Sequence, residues 1–110
     1  MEITDRREGP VLVLAVAGDI DGKTAPAFQE QVLARIAPGE RILLDLAQVG
    51  FMSSAGLRVM LLTYREAGAK QARVVLAGLS DGVRSSMSAT GFIKFFAVTA
   101  TVAEALAALG

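Results

Sequence analysis

The sequence contains no cysteine, no histidine and no tryptophan among its 110 residues. Without cysteine the chain has neither disulfides nor thiolates. Without histidine as well, the usual protein ligands for structural zinc, haem and iron–sulfur clusters are absent. Thiol catalysis and serine–histidine–aspartate triads are excluded for the same reason. These absences predict a protein that is not an enzyme, holds no structural metal and needs no cofactor.

An excess of positive charge is also missing. The 11 lysines and arginines balance the 11 aspartates and glutamates, so the formal net charge is zero. Nucleic-acid binding draws much of its affinity from basic side chains that neutralise phosphates. No basic run is longer than the pair Arg6-Arg7. The composition therefore predicts no nucleic-acid partner.

Long hydrophobic runs are absent too, although the mean hydropathy is +0.49. The longest strongly apolar run is Val11–Ala17, far short of the roughly 20 residues of a membrane-spanning helix. Acidic Glu2 and Asp5 precede it, whereas a secretory signal begins with positive charge. We expect a soluble, cytoplasmic protein that does not insert into a membrane.

No linker, repeat or low-complexity tract divides the chain. A length of 110 residues is typical of one domain, and 53% hydrophobic residues supply enough apolar surface for a core. The sequence therefore predicts a single domain over residues 1–110.

Short apolar runs predict the strands of a sheet. Val11–Ala17 is apolar throughout rather than alternating, which is typical of a strand covered on both faces. The turn residues Glu8-Gly9-Pro10 before it predict a hairpin with the preceding segment. The predicted strands are Glu2–Arg7, Val11–Ala17, Ile42–Leu46, Val74–Ala77 and an edge strand at Phe95–Val98.

Four helices are predicted between and after these strands from apolar spacing and capping residues. They run from Thr24 to Ala37, from Ser53 or Ser54 to a C-cap at Gly68, from Ser80 to Gly91, and onward from a capping box at Thr101–Glu104. The alternation of strands and helices predicts an α/β fold. Its sheet is mixed but largely parallel, with four to five strands and about four covering helices.

Two loops at the carboxyl ends of predicted strands carry polar side chains, where ligands of open α/β sheets gather. One loop holds Asp19 and Asp21, and the other places Ser53 and Ser54 at the start of a helix. Each has a purely structural interpretation, since aspartates form turns and serines cap helices. Two adjacent serines cannot both be the N-cap. Asp45 is interpreted as pointing to solvent or binding a loop amide.

The two loops also resemble a known family. The segment Asp45–Leu57, with its core Phe51-Met52-Ser53-Ser54-Ala55-Gly56-Leu57, is similar to the signature of STAS domains, specifically bacterial anti-sigma-factor antagonists. In that signature Phe or Tyr is followed by an apolar residue, Asp, Ser, Ser or Thr, Gly and Leu. Val16–Asp21 resembles the family's second segment, and the register continues through Ala72–Lys94.

The resemblance implies site residues. The phosphoacceptor serine falls on Ser54, with Ser53 as the second candidate, and the aspartate associated with phosphorylation falls on Asp21. This chain departs from the signature at two positions, where Ser53 replaces an aspartate and Ala55 replaces serine or threonine. The phosphorylation loop and partner contact predicted from it comprise Asp19, Asp21, Ser53, Ala55 and Gly56. Gly56 is expected to tolerate no bulk because a partner and the phosphate-accepting loop must both approach the helix start closely.

The function implied is a partner switch. The unphosphorylated antagonist binds an anti-sigma factor that is also a serine kinase, phosphorylation ends that binding, and a serine phosphatase restores it. The alternative is a stand-alone STAS adaptor subunit of a transporter or other signalling complex, without phosphorylation. A Mg²⁺ site of receiver type at Asp19, Asp21 and Asp45 is disfavoured, because Lys94 precedes the last apolar run instead of following it.

Overall fold

A five-stranded mixed sheet forms the centre of the computed structural model, which describes residues 1–110. The strands lie in the order β1-β2-β3-β4-β5. Only β1 is antiparallel to its neighbour, and the other three pairings are parallel. The predicted α/β fold with a largely parallel sheet is confirmed. The strands are β1 Glu2–Glu8, β2 Val11–Ala17, β3 Arg41–Gln48, β4 Arg73–Ala77 and β5 Ala97–Thr99.

Four helices cover the sheet: α1 Ala25–Leu33, α2 Ser54–Ala69, α3 Asp81–Thr90 and α4 Val102–Leu109. Apolar residues of α1, α2 and α3 join one core cluster, and those of α4 join the other, so three helices lie on one face and one on the opposite face. No helix has both the length and the apolar character that crossing a membrane requires.

Both faces of the sheet are buried, which explains the unbroken apolar run in β2. Leu12 and Leu14 pack into the larger cluster, while Val11 and Val13 pack into the smaller one beneath α4. Successive strand side chains point to opposite faces, so a strand covered on both sides needs apolar residues at every position.

The predicted caps of α3 and α4 are present. Ser80 accepts a hydrogen bond from the N–H of Val83, and Gly91 ends α3 in the left-handed conformation at φ 78°. Thr101 accepts from the N–H of Glu104 at the start of α4. Local sequence chemistry therefore fixes these three helix ends.

Two helix ends and one strand differ from the sequence prediction. Helix α1 ends at Leu33 instead of Ala37, because the chain tightens into three-residue turns at Arg35 and Ile36 ahead of Pro38. Helix α2 continues past Gly68 to Ala69, and the left-handed residue after it is Gln71 at φ 56°.

The predicted edge strand Phe95–Val98 is wrong at its start. Residues Phe92–Phe95 form a 3₁₀ helix, and β5 begins only at Ala97. The left-handed Gly91 directs the chain into this short helix, which is closed by a bond from the N–H of Lys94 to the carbonyl of Gly91. An apolar run of four residues carries no signal that separates the two structures.

Candidate functional site

Backbone hydrogen bonds join the two loops singled out from the sequence. Beyond β2 and β3, the N–H of Gly18 donates to the carbonyl of Gln48 at 2.9 Å, and the N–H of Ile20 donates to that of Phe51 at 3.0 Å. The N–H of Ser53 then donates back to the carbonyl of Ile20 at 2.8 Å. The parallel pairing of β2 and β3 thus brings both loops to the carboxyl edge of the sheet and fixes them to each other.

Ser53 occupies the N-cap position of α2 with extended backbone, but its side chain does not cap the helix. Its Oγ is buried and has no hydrogen-bond partner in the chain. The sequence left open whether Ser53 or Ser54 is the N-cap; by position it is Ser53, without the usual side-chain bond. A buried hydroxyl is also inaccessible to an enzyme that modifies it.

Ser54 is the first residue of α2 and is exposed. The first N–H to bond at this end is that of Leu57, which donates to the carbonyl of Ser53 at 2.9 Å. The N–H groups of Ser54, Ala55 and Gly56 donate to no group in the chain. Unpaired N–H groups and the helix dipole favour negative charge at this position.

Asp21 organises the turn that starts α1. Its Oδ1 accepts from the N–H of Lys23 at 2.9 Å and of Thr24 at 3.1 Å, and the Thr24 Oγ1 accepts from the N–H of Asp21 at 2.9 Å. The N–H bonds from Thr24 and then Lys23 lower the pKa of the Asp21 carboxyl below its ordinary value. The interpretation of Asp21 as a turn former is therefore supported by the contacts its carboxylate makes.

Asp19 is exposed and lies beside the second loop. Its Oδ1 would be 3.6 Å from a Cβ added to Gly50, so the carboxylate sits over that glycine. Only the Asp19 carbonyl is hydrogen-bonded within its own loop, to Thr24 Oγ1 at 3.1 Å. Asp45, in turn, accepts from the N–H of Ala47 at 3.1 Å, in agreement with its interpretation as a ligand of a loop amide.

Gly56 is buried against the joined loops. An added Cβ would lie 2.6 Å from the Met52 Cγ and 2.8 Å from the Ile20 Cγ2. The need for glycine was predicted from the close approach of a partner and of the phosphate-accepting loop. The structure shows the approach of the loop, since Met52 of that loop and Ile20 of the neighbouring loop already fill the space. Ala55, next to it, is half-buried.

Phe51 is an exposed residue of the site that the sequence analysis did not include among the site residues. Its side chain is 52% exposed, and only two other large hydrophobic side chains of the chain are exposed, Tyr64 and Phe95. Aromatic residues exposed at loops often anchor protein partners. The signal in the sequence that could have identified Phe51 is its position, two residues before Ser53 in a loop that carries polar side chains.

A groove of about 420 Å³ lies between α1 and α2 and is lined by Ala55, the residue after Ser54. Arg58 lines it, one helical turn after Ser54, and makes no salt bridge. The remaining lining residues are Gly22, Ala25, Pro26, Gln29, Val59 and Leu62. No group of three or more carboxylates in the structure is arranged to hold a metal ion.

A sequence profile of the STAS domain matches residues 2–105, so the chain belongs to the STAS domain family. It is 33% identical over 109 residues to BtrV of Bordetella bronchiseptica, which carries the provisional name of an anti-sigma factor antagonist; 98% of this chain and 93% of that protein are covered. It is also 35% identical over 77 residues to the anti-sigma-B factor antagonist of Listeria monocytogenes, covering 69% and 68% of the two chains.

Among solved structures, the crystal structure of an anti-sigma factor antagonist from Mycobacterium paratuberculosis superposes with a TM-score of 0.88 at 28% identity. The alignment covers 98% of this chain and 92% of that one. The family resemblance recognised from the two loop motifs is therefore confirmed. These relatives are named for a regulatory role and not for an enzymatic reaction.

Proposed function

We propose that the protein is an anti-sigma-factor antagonist that acts in a partner switch controlled by phosphorylation of Ser54. In the proposed cycle the unphosphorylated protein binds an anti-sigma factor with serine kinase activity. Phosphorylation releases that partner, and a serine phosphatase restores the binding form. This role assigns the protein to the cytoplasm.

The observation that carries this proposal is the contrast between the two serines of the motif. Ser54 is exposed at the first residue of α2, whereas the Ser53 Oγ is buried. A kinase must bring the γ-phosphate of ATP to within bonding distance of the acceptor oxygen, and at Ser53 it would first have to open the loop. Accessibility therefore favours Ser54 as the acceptor.

The surroundings of Ser54 suit both states of such a switch. With a neutral hydroxyl, the exposed Phe51 and the groove beside Arg58 offer an apolar anchor and a recess for a partner. With a phosphoryl group, the unpaired N–H groups at the start of α2 and Arg58, one helical turn after Ser54, are available to stabilise the added charge. The fold itself thus has no need to change.

The energetic argument concerns the interface. A phosphoryl group adds a charge of roughly −1.5 to −2 at pH 7. Placing that charge in an interface formed around a neutral serine brings repulsion and a desolvation cost. If that costs about 3–4 kcal/mol, partner affinity falls roughly a hundredfold to a thousandfold. This is sufficient for release.

The test is to isolate the protein from its native cell and map phosphorylation by mass spectrometry. Trypsin cleaves after Arg41 and Arg58, and the peptide between them contains only two hydroxyl-bearing residues, Ser53 and Ser54. We expect fragment ions that place the phosphoryl group on Ser54. Phosphate on Ser53 alone would overturn the assignment of the acceptor.

The serine kinase that phosphorylates the protein is then titrated with each of three variants of the chain, and its affinity for each is measured. Ser54→Ala should bind constitutively, Ser54→Asp should bind more weakly, and Ser53→Ala should bind like the parent. If no growth condition yields a phosphorylated peptide and no serine kinase binds, the switch is wrong. The alternative of an unphosphorylated adaptor subunit would then be the one to pursue.

A further inference from the structure

A second groove, of about 440 Å³, lies far from Ser54 beside the C-terminal half of α2. Aromatic rings form its outer wall. The rings of Tyr64 and Phe95 are stacked with centroids 4.9 Å apart, and Phe96 meets Tyr64 edge-on at 5.9 Å. Tyr64 and Phe95 are 43% and 44% exposed.

The groove exists because small residues line its inner side and the last strand is short. Strand β5 pairs with β4 only from Val75 onward, so the first two residues of β4 extend beyond the pairing. Gly68 of α2 has no Cβ, and nothing lies within 4 Å of the place where one would be. The space is open to solvent and is not filled by any side chain of the protein.

The charged residues that line this groove are of one sign. They are Arg65 and Arg73, and neither forms a salt bridge. The Arg73 guanidinium donates to the carbonyl of Ala108 in α4 at 3.4 Å, on the face of the sheet opposite α2, so Arg65 is the residue that supplies an unpaired positive charge to the groove. No carboxylate lines the groove. In a protein whose net charge is zero, an unpaired guanidinium beside an aromatic wall, with no carboxylate nearby to balance it, defines a local preference for an anion.

We propose that this groove binds a small planar aromatic anion, such as an aromatic carboxylate. Its volume falls within the roughly 300–1,000 Å³ of small-molecule sites. A flat apolar body suits the Tyr64–Phe95 wall, because aromatic rings stack in offset geometry. A carboxylate suits Arg65, because a guanidinium donates two parallel hydrogen bonds to it.

The proposal is independent of the partner switch. Tyr64 lies ten residues after Ser54 along α2, which corresponds to about 15 Å at a rise of 1.5 Å per residue. Ligand binding can therefore be measured on the purified chain without any partner. Its success or failure says nothing about phosphorylation of Ser54.

The experiment titrates 2-naphthoate into ¹⁵N-labelled protein and follows amide shifts by NMR. With 13 non-hydrogen atoms at about 0.3 kcal/mol each, a ligand of this size is expected to bind with a Kd of about 1 mM or tighter. The shifts should saturate and be largest at Gly68, Val74 and Phe96. The neutral analogue 2-naphthamide should bind at least about fivefold more weakly, since it lacks the charge that pairs with guanidinium.

Three variants make the assignment specific. Arg65→Gln should weaken naphthoate binding and leave naphthamide binding unchanged, whereas Arg73→Gln should leave both unchanged, because its guanidinium bonds to Ala108 on the other face of the sheet. Gly68→Leu should abolish binding of both by filling the groove, with no fall in melting temperature, because leucine is a better helix former than glycine. Arg84→Gln, on exposed α3, is the control and should bind naphthoate like the parent.

The proposal is overturned if no saturable shift appears up to about 10 mM naphthoate, ten times the expected Kd. It is also overturned if naphthamide binds as tightly as naphthoate, or if folded Gly68→Leu still binds. The same amides shifting with protein concentration alone would show that a second copy of the chain occupies the groove, and would equally overturn it.

Discussion

Ile20 and Met52 form an isolated parallel β-bridge beyond the ends of β2 and β3. Both side chains are buried, and both lie against Gly56 in the first turn of α2. The loop with the two aspartates, the loop with the two serines and the start of α2 are therefore one packed unit. A change at Gly56 acts on all three.

Gly56→Ala is expected to lower the free energy of unfolding by about 1–3 kcal/mol, the usual range for overpacking a filled core site. The added Cβ would meet Met52 Cγ at 2.6 Å and Ile20 Cγ2 at 2.8 Å, so the bridge has to shift. Urea unfolding at pH 7 measures the change. Any loss of partner binding in this variant has to be corrected for the fraction that is unfolded.

Gly68→Ala is the matched control in the same helix. Nothing lies within 4 Å of its added Cβ, so the substitution should stabilise the protein by roughly 0.5–1 kcal/mol through helix propensity alone. Equal stability of the two alanine variants would contradict the packing explanation for Gly56. That result would instead favour the explanation that Gly56 is small because a partner approaches there.

The contrast between these glycines shows where sequence reasoning stops. Periodicity and capping residues predicted the existence and order of the strands and helices, because the covered sheet imposes the apolar pattern on the sequence. The clash at Gly56 depends on Ile20, which is 36 residues away along the chain and comes near only through the β2–β3 pairing. A motif marks such a residue as special but does not give the physical reason.

The same limit applies to the two serines. Sequence identifies both as candidate N-caps, since serine is favoured there. In the folded loop, which the hydrogen bond from the Ser53 N–H to the Ile20 carbonyl joins to its neighbour, the Ser53 hydroxyl is buried without a partner and Ser54 is exposed. Phe51 was missed for a related reason, because exposure is a property of the folded loop.

Ser53→Ala is expected to change stability by no more than about 0.5 kcal/mol, or to raise it slightly. The substitution removes a buried hydroxyl that has no partner, whereas removing a working cap costs about 0.5–2 kcal/mol. Ser80→Ala supplies the comparison, since Ser80 accepts from the Val83 N–H and its loss should cost about 1 kcal/mol. Thermal melts of both variants compare the two losses of stability. A Ser53→Ala protein that is destabilised as much as Ser80→Ala would contradict the observed geometry.

The Asp21 carboxylate should make the stability pH-dependent. Its pKa is lowered in the folded state from 3.8, chiefly by the Thr24 and Lys23 N–H groups. A lowered folded pKa means that the stabilisation is present above the unfolded pKa and is lost as the pH falls through the folded one. Asp21→Asn keeps an acceptor for the same N–H groups but has no charge to lose.

The parent is therefore expected to melt higher than Asp21→Asn near pH 6, with the difference shrinking as the pH falls from about 5 to about 2.5. Melting temperatures of the two proteins, measured in parallel buffers, test this. A difference that stays constant over that range would mean that the carboxylate charge contributes nothing to the turn.

In the proposed switch, phosphorylation of Ser54 should stabilise the folded chain while it weakens partner binding. The phosphoryl group would sit at the first residue of α2, near N–H groups that donate to nothing else, and such charges contribute roughly 0.3–1 kcal/mol each. Arg58 lies four residues later on the same helix face, is exposed and has no carboxylate partner. Phosphoserine introduced at position 54 should raise the free energy of unfolding by about 1 kcal/mol at low salt, and less at high salt because exposed charges are screened.

Arg58→Gln should reduce this gain, whereas Arg84→Gln on α3 should leave it intact. Urea unfolding of the six proteins, three with serine and three with phosphoserine, measures the gain directly. If the phosphorylated protein is less stable than its parent, release of the partner would proceed by loosening α2. If it is more stable, release comes from charge placed in an interface around an intact fold.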